Sequence, residues 1–312
     1  MKTLWIIISI ICVQILISGC SSPTTENHDR VFTFPQKDIL FQANVGYSNA
    51  LGFMNADGSS IELVPTADRR LVQPVWSTDK SRIYFRTVQR DPGIQTLGYG
   101  DVGMLENGSA KVTQCGINTN AWMIFPLQDP DTIIYSNGGE LALLDFATCK
   151  KEKMILAPHE EAGINSFSLS KDRQKIIYGE TKLLDASGKT AYTIYLTDLD
   201  NVQPKEITTG INPTLSPNNQ QIAFSRKDGI YLANSDGSDV RRLVRYESSH
   251  FPDFEPLPPV PNWSPDGKWL VYHKCVKGLI CNVGDEFSLF KYDLDKEVET
   301  RLYDGGMFPN WP

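Results

Sequence analysis

Three histidines, His159, His250 and His273, are the candidate metal ligands of this chain, imidazole being a common ligand of divalent metals. No fixed spacing joins them, so isolated surface histidines are the favoured reading and no bound metal is expected. Of six cysteines, Cys12 and Cys20 belong to an apolar N-terminal segment. Cys115, Cys149, Cys275 and Cys281 remain, an even set that allows three pairings. The expected pairing is Cys275–Cys281, closing a short loop, with Cys115–Cys149. A zinc site is the rival, but no Cys-x-x-Cys spacing or nearby histidine pair supports it. No Gly-x-Ser-x-Gly elbow occurs, so no serine nucleophile of the hydrolase type is legible, and no cofactor is expected.

These residues sit in a chain of 312 residues, long enough for one large all-β domain or two ordinary domains. Apolar residues make up 41%, which suffices for a core. The net charge of -7 and the lack of basic clusters argue against a nucleic-acid partner, because phosphate binding needs dense Lys and Arg. Arg69-Arg70 and Arg241-Arg242 are isolated pairs, read as solvated strand ends.

The N-terminus reads as an address. Lys2 precedes an apolar run from Leu4 to Ile17, and Ile17-Ser18-Gly19-Cys20 follows. This is a secretory signal rather than a lasting membrane span. Its last four residues resemble the lipobox of bacterial lipoproteins. The resemblance implies removal of residues 1–19 and a lipid on Cys20, with the lipid bilayer as a partner. An ordinary signal peptide or an uncleaved anchor is the alternative. Residues 20–35 are expected to form a flexible tether, and the polar stretch Ser21 to Arg30 reaches about 30 Å when extended. The expected location is the periplasm or the cell surface.

A repeat organises residues 36–312. Ile39-Leu-Phe41, Ile83-Tyr-Phe85, Ile133-Ile-Tyr135, Ile176-Ile-Tyr178, Ile222-Ala-Phe224 and Leu270-Val-Tyr272 recur at spacings of 44, 50, 43, 46 and 48 residues. That period suits four-stranded propeller blades. Before the repeats stand the turns Trp76-Ser-Thr-Asp79, Leu169-Ser-Lys-Asp172, Leu215-Ser-Pro-Asn218 and Trp263-Ser-Pro-Asp266, with a degenerate Pro126-Leu-Gln-Asp129. The first unit lacks its opening strand, while Phe308-Pro-Asn-Trp311 has that strand's pattern and ends the chain. The expectation is a six-bladed, all-β propeller of four-stranded antiparallel blades, closed by the C-terminal strand joining the first blade.

The Pro-x-Trp-Ser-Pro-Asp-Gly-Lys element around Trp263, with the turn Asn55-Ala-Asp-Gly-Ser59, resembles the TolB-type WD-like β-propeller family. The resemblance covers residues 36–312 and implies the fold more than a function. TolB carries an α/β domain ahead of its propeller, where this chain shows only the expected tether. Some TolB-like propellers that cleave pectic sugars use a histidine-bound metal. A metal-dependent carbohydrate lyase or hydrolase is therefore the alternative to the leading expectation, a non-catalytic envelope lipoprotein. That protein would be a monomer binding an envelope protein, a peptide or a glycan.

Blade topology puts the long connections on one face, and long loops on a rigid scaffold commonly carry binding residues. The Arg245–Pro259 connection holds Tyr246, His250, Phe251, Asp253, Phe254 and Glu255 among prolines and is the candidate binding loop. His159, His250 and His273 map to the same face. Trp76, Trp263 and Trp311 occupy equivalent repeat positions and are expected in the core between blades. The turns Asn55 to Ser59 and Asn234 to Asp239 faintly resemble calcium loops but lack the closing Glu, and are read as hairpin turns.

Overall fold

The computed structural model describes residues 24–45, 48–66, 71–90, 97–116, 123–137, 139–185, 189–246, 259–276 and 286–311. Among them the chain forms β-strands and no α-helix. β1 (Thr24–Phe32) comes first. Blade one contains β2 (Ile39–Val45), β3 (Ser48–Met54) and β4 (Glu62–Pro65). Blade two contains β5 (Leu71–Trp76), β6 (Arg82–Arg90), β7 (Leu97–Glu106) and β8 (Ser109–Cys115). Blade three follows with β9 (Met123–Pro126), β10 (Thr132–Ser136), β11 (Leu141–Asp145) and β12 (Lys150–Leu156). Blade four has β13 (Ala162–Leu169), β14 (Lys175–Leu183), β15 (Thr190–Asp198) and β16 (Lys205–Thr209). Blade five has β17 (Ile211–Leu215), β18 (Gln221–Arg226), β19 (Gly229–Asn234) and β20 (Arg241–Arg245). Blade six has β21 (Asn262–Trp263), β22 (Trp269–Cys275), β23 (Phe287–Asp293) and β24 (Val298–Asp304). β25 (Gly306–Asn310) returns to blade one, giving the order β25-β2-β3-β4 and a closed ring of six antiparallel sheets.

The repeated apolar triplets are the second strands of the blades. None of their residues, from Ile39 to Tyr272, is more than 2% exposed. Each blade packs both faces against neighbours, so its second strand reads as a continuous apolar run rather than an alternating one. Gly52 and Gly103 lie opposite Phe41 and Phe85 on the third strands. A Cβ at either glycine would come within 2.2 Å of the facing ring, so the close approach requires glycine.

The turns between first and second strands share one hydrogen-bonded frame. In blade six the buried Ser264 hydroxyl donates to Asp266 at 2.6 Å and accepts from the Trp269 amide at 2.9 Å. Ser77, Ser170 and Ser216 make the same pair of bonds in blades two, four and five. In blade three Leu127 replaces the serine, and the Thr132 hydroxyl donates to Asp129 instead. The two hairpin turns resembling calcium loops close with Gly58 and Gly237 at φ 86° and 93°.

Ring closure pairs Leu40 with Asn310 and Ala43 with Gly306. Asn310 Oδ1 accepts from the Trp76 amide at 3.1 Å, and Asn262 Oδ1 from the Trp311 amide at 3.2 Å. The two Asn-Trp repeats thus tie blade six to blade one and blade one to blade two. Trp76, Trp263 and Trp311 are 3%, 6% and 8% exposed and belong to the cores between blades.

One expectation is corrected. Residues 20–35 do not form a tether throughout, because Thr24–Phe32 pairs with β8 as a fifth strand of blade two. The outer edge of β8 offers unpaired backbone groups that an extended segment satisfies. Phe32 and Phe34, both buried, then pin the segment to the core that holds Trp76.

Candidate functional site

The first strands, β5, β9, β13, β17, β21 and β25, line a central channel. Towards the long connections it is a narrow space of about 50 Å³ bounded by Gln73, Met123, Ile124, Val260 and Phe308. Towards the short turns it widens to about 340 Å³. Val75, Phe125, Asn262 and Asn310 border both spaces, so the two are successive parts of one passage.

The wide mouth has a distinctive lining. Lys80, Lys171 and Arg173 border it, together with the hydroxyl residues Ser77, Thr78, Ser168, Thr214 and Ser264, and no carboxylate residue does. Among the described residues, none of the three cations forms an ion pair. Lys171 Nζ reaches only the Pro265 carbonyl, at 3.4 Å. Arg173 Nε is buried without a hydrogen-bond partner. Burial holds the Arg173 guanidinium below the usual arginine range, and it stays cationic. The nearby turn carboxylates are engaged within their own turns, and Asp172 also accepts from Asn219 of the blade-five turn at 3.4 Å. Hydrogen bonds from Ser77, Ser170 and Ser264 hold Asp79, Asp172 and Asp266 below the usual carboxylate range.

Backbone geometry fixes where two of these cations stand. The residue after the turn Asp or Asn is left-handed in all four serine turns: Lys80 at φ 58°, Arg173 at 59°, Asn219 at 60° and Gly267 at 73°. Glycine suits that conformation, and other residues carry a cost of roughly 1 kcal/mol or more. The sequence reading passed over Lys80, Lys171 and Arg173. Its available signal was the fourth turn position, where Lys and Arg stand in place of the glycine found in blade six.

The sequence candidates do not assemble into one site among the described residues. The Tyr246 hydroxyl donates to the Arg226 carbonyl at 2.5 Å, folding that ring onto its own blade. His250, Phe251, Asp253, Phe254 and Glu255 lie outside the described residues, as do Cys20 and Cys281. His159 is half exposed, with Nδ1 2.9 Å from Glu180 and its ring 4.8 Å from that of Tyr195. The expectation of a channel-mouth histidine is corrected at His273, which is 0% exposed. Its ring packs against Phe287 and Phe308, Nδ1 accepts from the Phe308 amide at 3.4 Å, and Nε2 has no partner among the described residues. Burial pushes its pKa down to about 3. The second-strand position explains this, because ring closure lays β25 over it. No group of three potential metal ligands occurs among the described residues.

Cys115 and Cys149 form a disulfide with Cα atoms 5.2 Å apart, joining the end of β8 to the β11–β12 turn of the next blade. Cys275 is also disulfide-bonded, to a partner outside the described residues.

This geometry defines a class: a closed six-bladed β-propeller with an open, cation-lined channel mouth. No protein-family model matches the chain, and no curated protein matches it. Among solved structures it is similar to TolB from Acinetobacter baumannii, at 15% identity over 88% of this chain and 66% of that one, with a TM-score of 0.62. It is also similar to a chain of a nidogen/laminin complex, at 9% identity over 88% and 97% of the two chains, with a TM-score of 0.62. A third likeness is to an oligogalacturonate lyase in complex with manganese, at 18% identity over 84% and 72%, with a TM-score of 0.52. Identities this low show a shared fold alone. The chain has the propeller fold of TolB and spans under two thirds of the Acinetobacter protein.

Proposed function

We propose that this chain is an exported, membrane-anchored propeller that binds an envelope protein, peptide or glycan without catalysis, as a monomer. The observation that carries the reading is the 340 Å³ recess at the short-turn mouth, which falls in the size range of ligand sites. The likeness to TolB supports a binding role, and the disulfide is consistent with export. Sequence reasoning favoured the opposite face, and the Arg245–Pro259 connection remains a second contact surface in this proposal.

Lipid on Cys20 supplies the anchor. Four residue steps from Cys20 to Thr24 reach at most about 14 Å. Thr24 pairs with Gln114, whose carbonyl lies 3.8 Å from Cys149 Sγ. In this proposal the lipid joins the chain within that reach of the outer edge of blade two, where β1 pairs with β8.

Crosslinking of intact cells and pull-down through the full-length lipidated protein tests the binding reading. A recurrent envelope partner is expected, and its capture should drop when Lys80 and Arg173 are both replaced by Gly. Capture that ignores this change removes the short-turn mouth from the account. Cys20→Ala should move the protein from the membrane to the soluble fraction, and wild-type protein already in the soluble fraction would sink the anchor.

A second reading, a metal-dependent carbohydrate lyase or hydrolase, draws on the manganese-bound lyase likeness and on the pair of His159 with the buried Glu180. A carboxylate that orients an imidazole is the usual support of a metal-ligating histidine. Elemental analysis of protein purified without chelator tests it: bound manganese lost in His159→Ala favours this reading, and a folded, metal-free protein counts against it.

A further inference from the structure

We infer that the wide mouth of the channel is a site for a small organic anion, bound through its carboxylate or phosphate group by Lys80, Lys171 and Arg173. The inference rests on the binding reading above in using the same recess, and it does not require the lipid anchor.

Three independent features converge. First, charge: a chain of net charge -7 places three cations around one recess whose lining contains no carboxylate residue. Several other cations of this protein pair with carboxylates, as Arg241 does with Glu297 and Lys274 with Glu299. Second, desolvation: Arg173 buries an Nε donor with no hydrogen-bond partner among the described residues. A buried unmet donor is costly, and an oxyanion that reaches it from the recess recovers that cost. Third, conformation: Lys80 and Arg173 occupy left-handed positions where the equivalent residue of blade six is Gly267. Strain held at a non-glycine residue on a cavity rim is a mark of a side chain kept for what it contacts.

The walls set the rest of the ligand. Trp76, Trp263, Phe125 and Leu215 line the recess beside the cations, so apolar surface is available to a carbon skeleton. A volume of 340 Å³ equals roughly eleven waters at liquid density, which suits a small molecule or a chain end rather than a folded domain.

The test uses the full-length protein in detergent, with calorimetric titration and tryptophan fluorescence at constant ionic strength. The probes are citrate for a carboxylate, sn-glycerol 3-phosphate for a phosphate, and glycerol as the uncharged control. Saturable binding of at least one anion, with no response to glycerol, is expected. The Lys80→Gly, Arg173→Gly double variant should weaken it more than tenfold. Glycine suits the backbone at both positions, so the variant should melt at or above the wild-type temperature and loss of binding cannot be charged to misfolding. Arg241→Ala, far from the recess, should bind as wild type does. The tighter probe identifies the acid. Failure of both anions to saturate, undiminished binding in the double variant, or an equal loss in Arg241→Ala would overturn the inference.

Discussion

The two ends of the channel are built on opposite rules. At the short-turn end, four blades repeat one serine-centred frame, with the same two hydroxyl bonds and the same left-handed residue. The residue at that last position changes from Lys to Arg to Asn to Gly, and the residue after the serine from Thr to Lys to Pro to Pro. At the other end, connections differ in length and composition from blade to blade. Function at the first end is therefore written in single substitutions on a constant backbone. At the second end it is written in whole segments, such as Arg245–Pro259. A repeat array can diversify cheaply wherever a side chain points into shared space and the backbone supplies the precision.

The largest expected effect concerns the long-connection half of the closing seam. His273 takes up its proton near pH 6.5 in the unfolded chain and only near pH 3 when folded. The unfolded state binds more protons throughout that window, so stability should fall as pH drops from about 6.5 towards 3. The slope from this residue is at most about 1.4 kcal/mol per pH unit. Urea unfolding across the upper part of the window, above the carboxylate range, should show it, and His273→Gln should flatten it. An unchanged slope in the variant would assign acid sensitivity elsewhere.

Next comes the wall that joins the two ends. Replacing Cys115 and Cys149 by Ala opens a loop with a sequence separation of 34 residues. The expected loss is about 3–4 kcal/mol by chain entropy. A loss below about 1 kcal/mol would mean that blades two and three are held by packing alone.

Ser264→Ala probes the constant frame of the short-turn end. It removes a buried hydroxyl that makes two bonds, and about 1–3 kcal/mol of stability should go with it. If the variant unfolds like wild type, the frame does not hold this mouth in shape and the contrast between the ends weakens.

The smallest stability effect is expected for Phe251→Ala with Phe254→Ala, within about 0.5 kcal/mol. Its value lies in capture. Loss of envelope partners with stability intact would give the long-connection face its own binding role. Intact capture would concentrate recognition at the short-turn mouth.

Much of the fold was legible because blade architecture writes itself into local sequence. The second strands, buried on both faces, announce themselves as Ile-Leu-Phe-like triplets. Trp263-Ser-Pro-Asp266 announces its turn, and Phe308-Pro-Asn-Trp311 announces the strand that closes the ring. β1 was missed, since the segment from Thr24 has turn-like composition and pairs only because β8 leaves an edge open. The site was far less legible. His159, His250 and His273 attracted notice by residue type. Yet His273 lies beneath β25, and burial of that kind has no local signature.

By itself the sequence determined the repeat, the closure and the inter-blade role of the tryptophans, because each follows from short-range pattern and period. Only the tertiary structure decided what the repeats face. Lys80 and Lys171 are 91 residues apart and read alone as ordinary turn lysines. Closing the ring brings them to one recess with Arg173, whose lining contains no carboxylate residue. Charge at a site is a sum over neighbours in space, and the period of a sequence does not contain that sum.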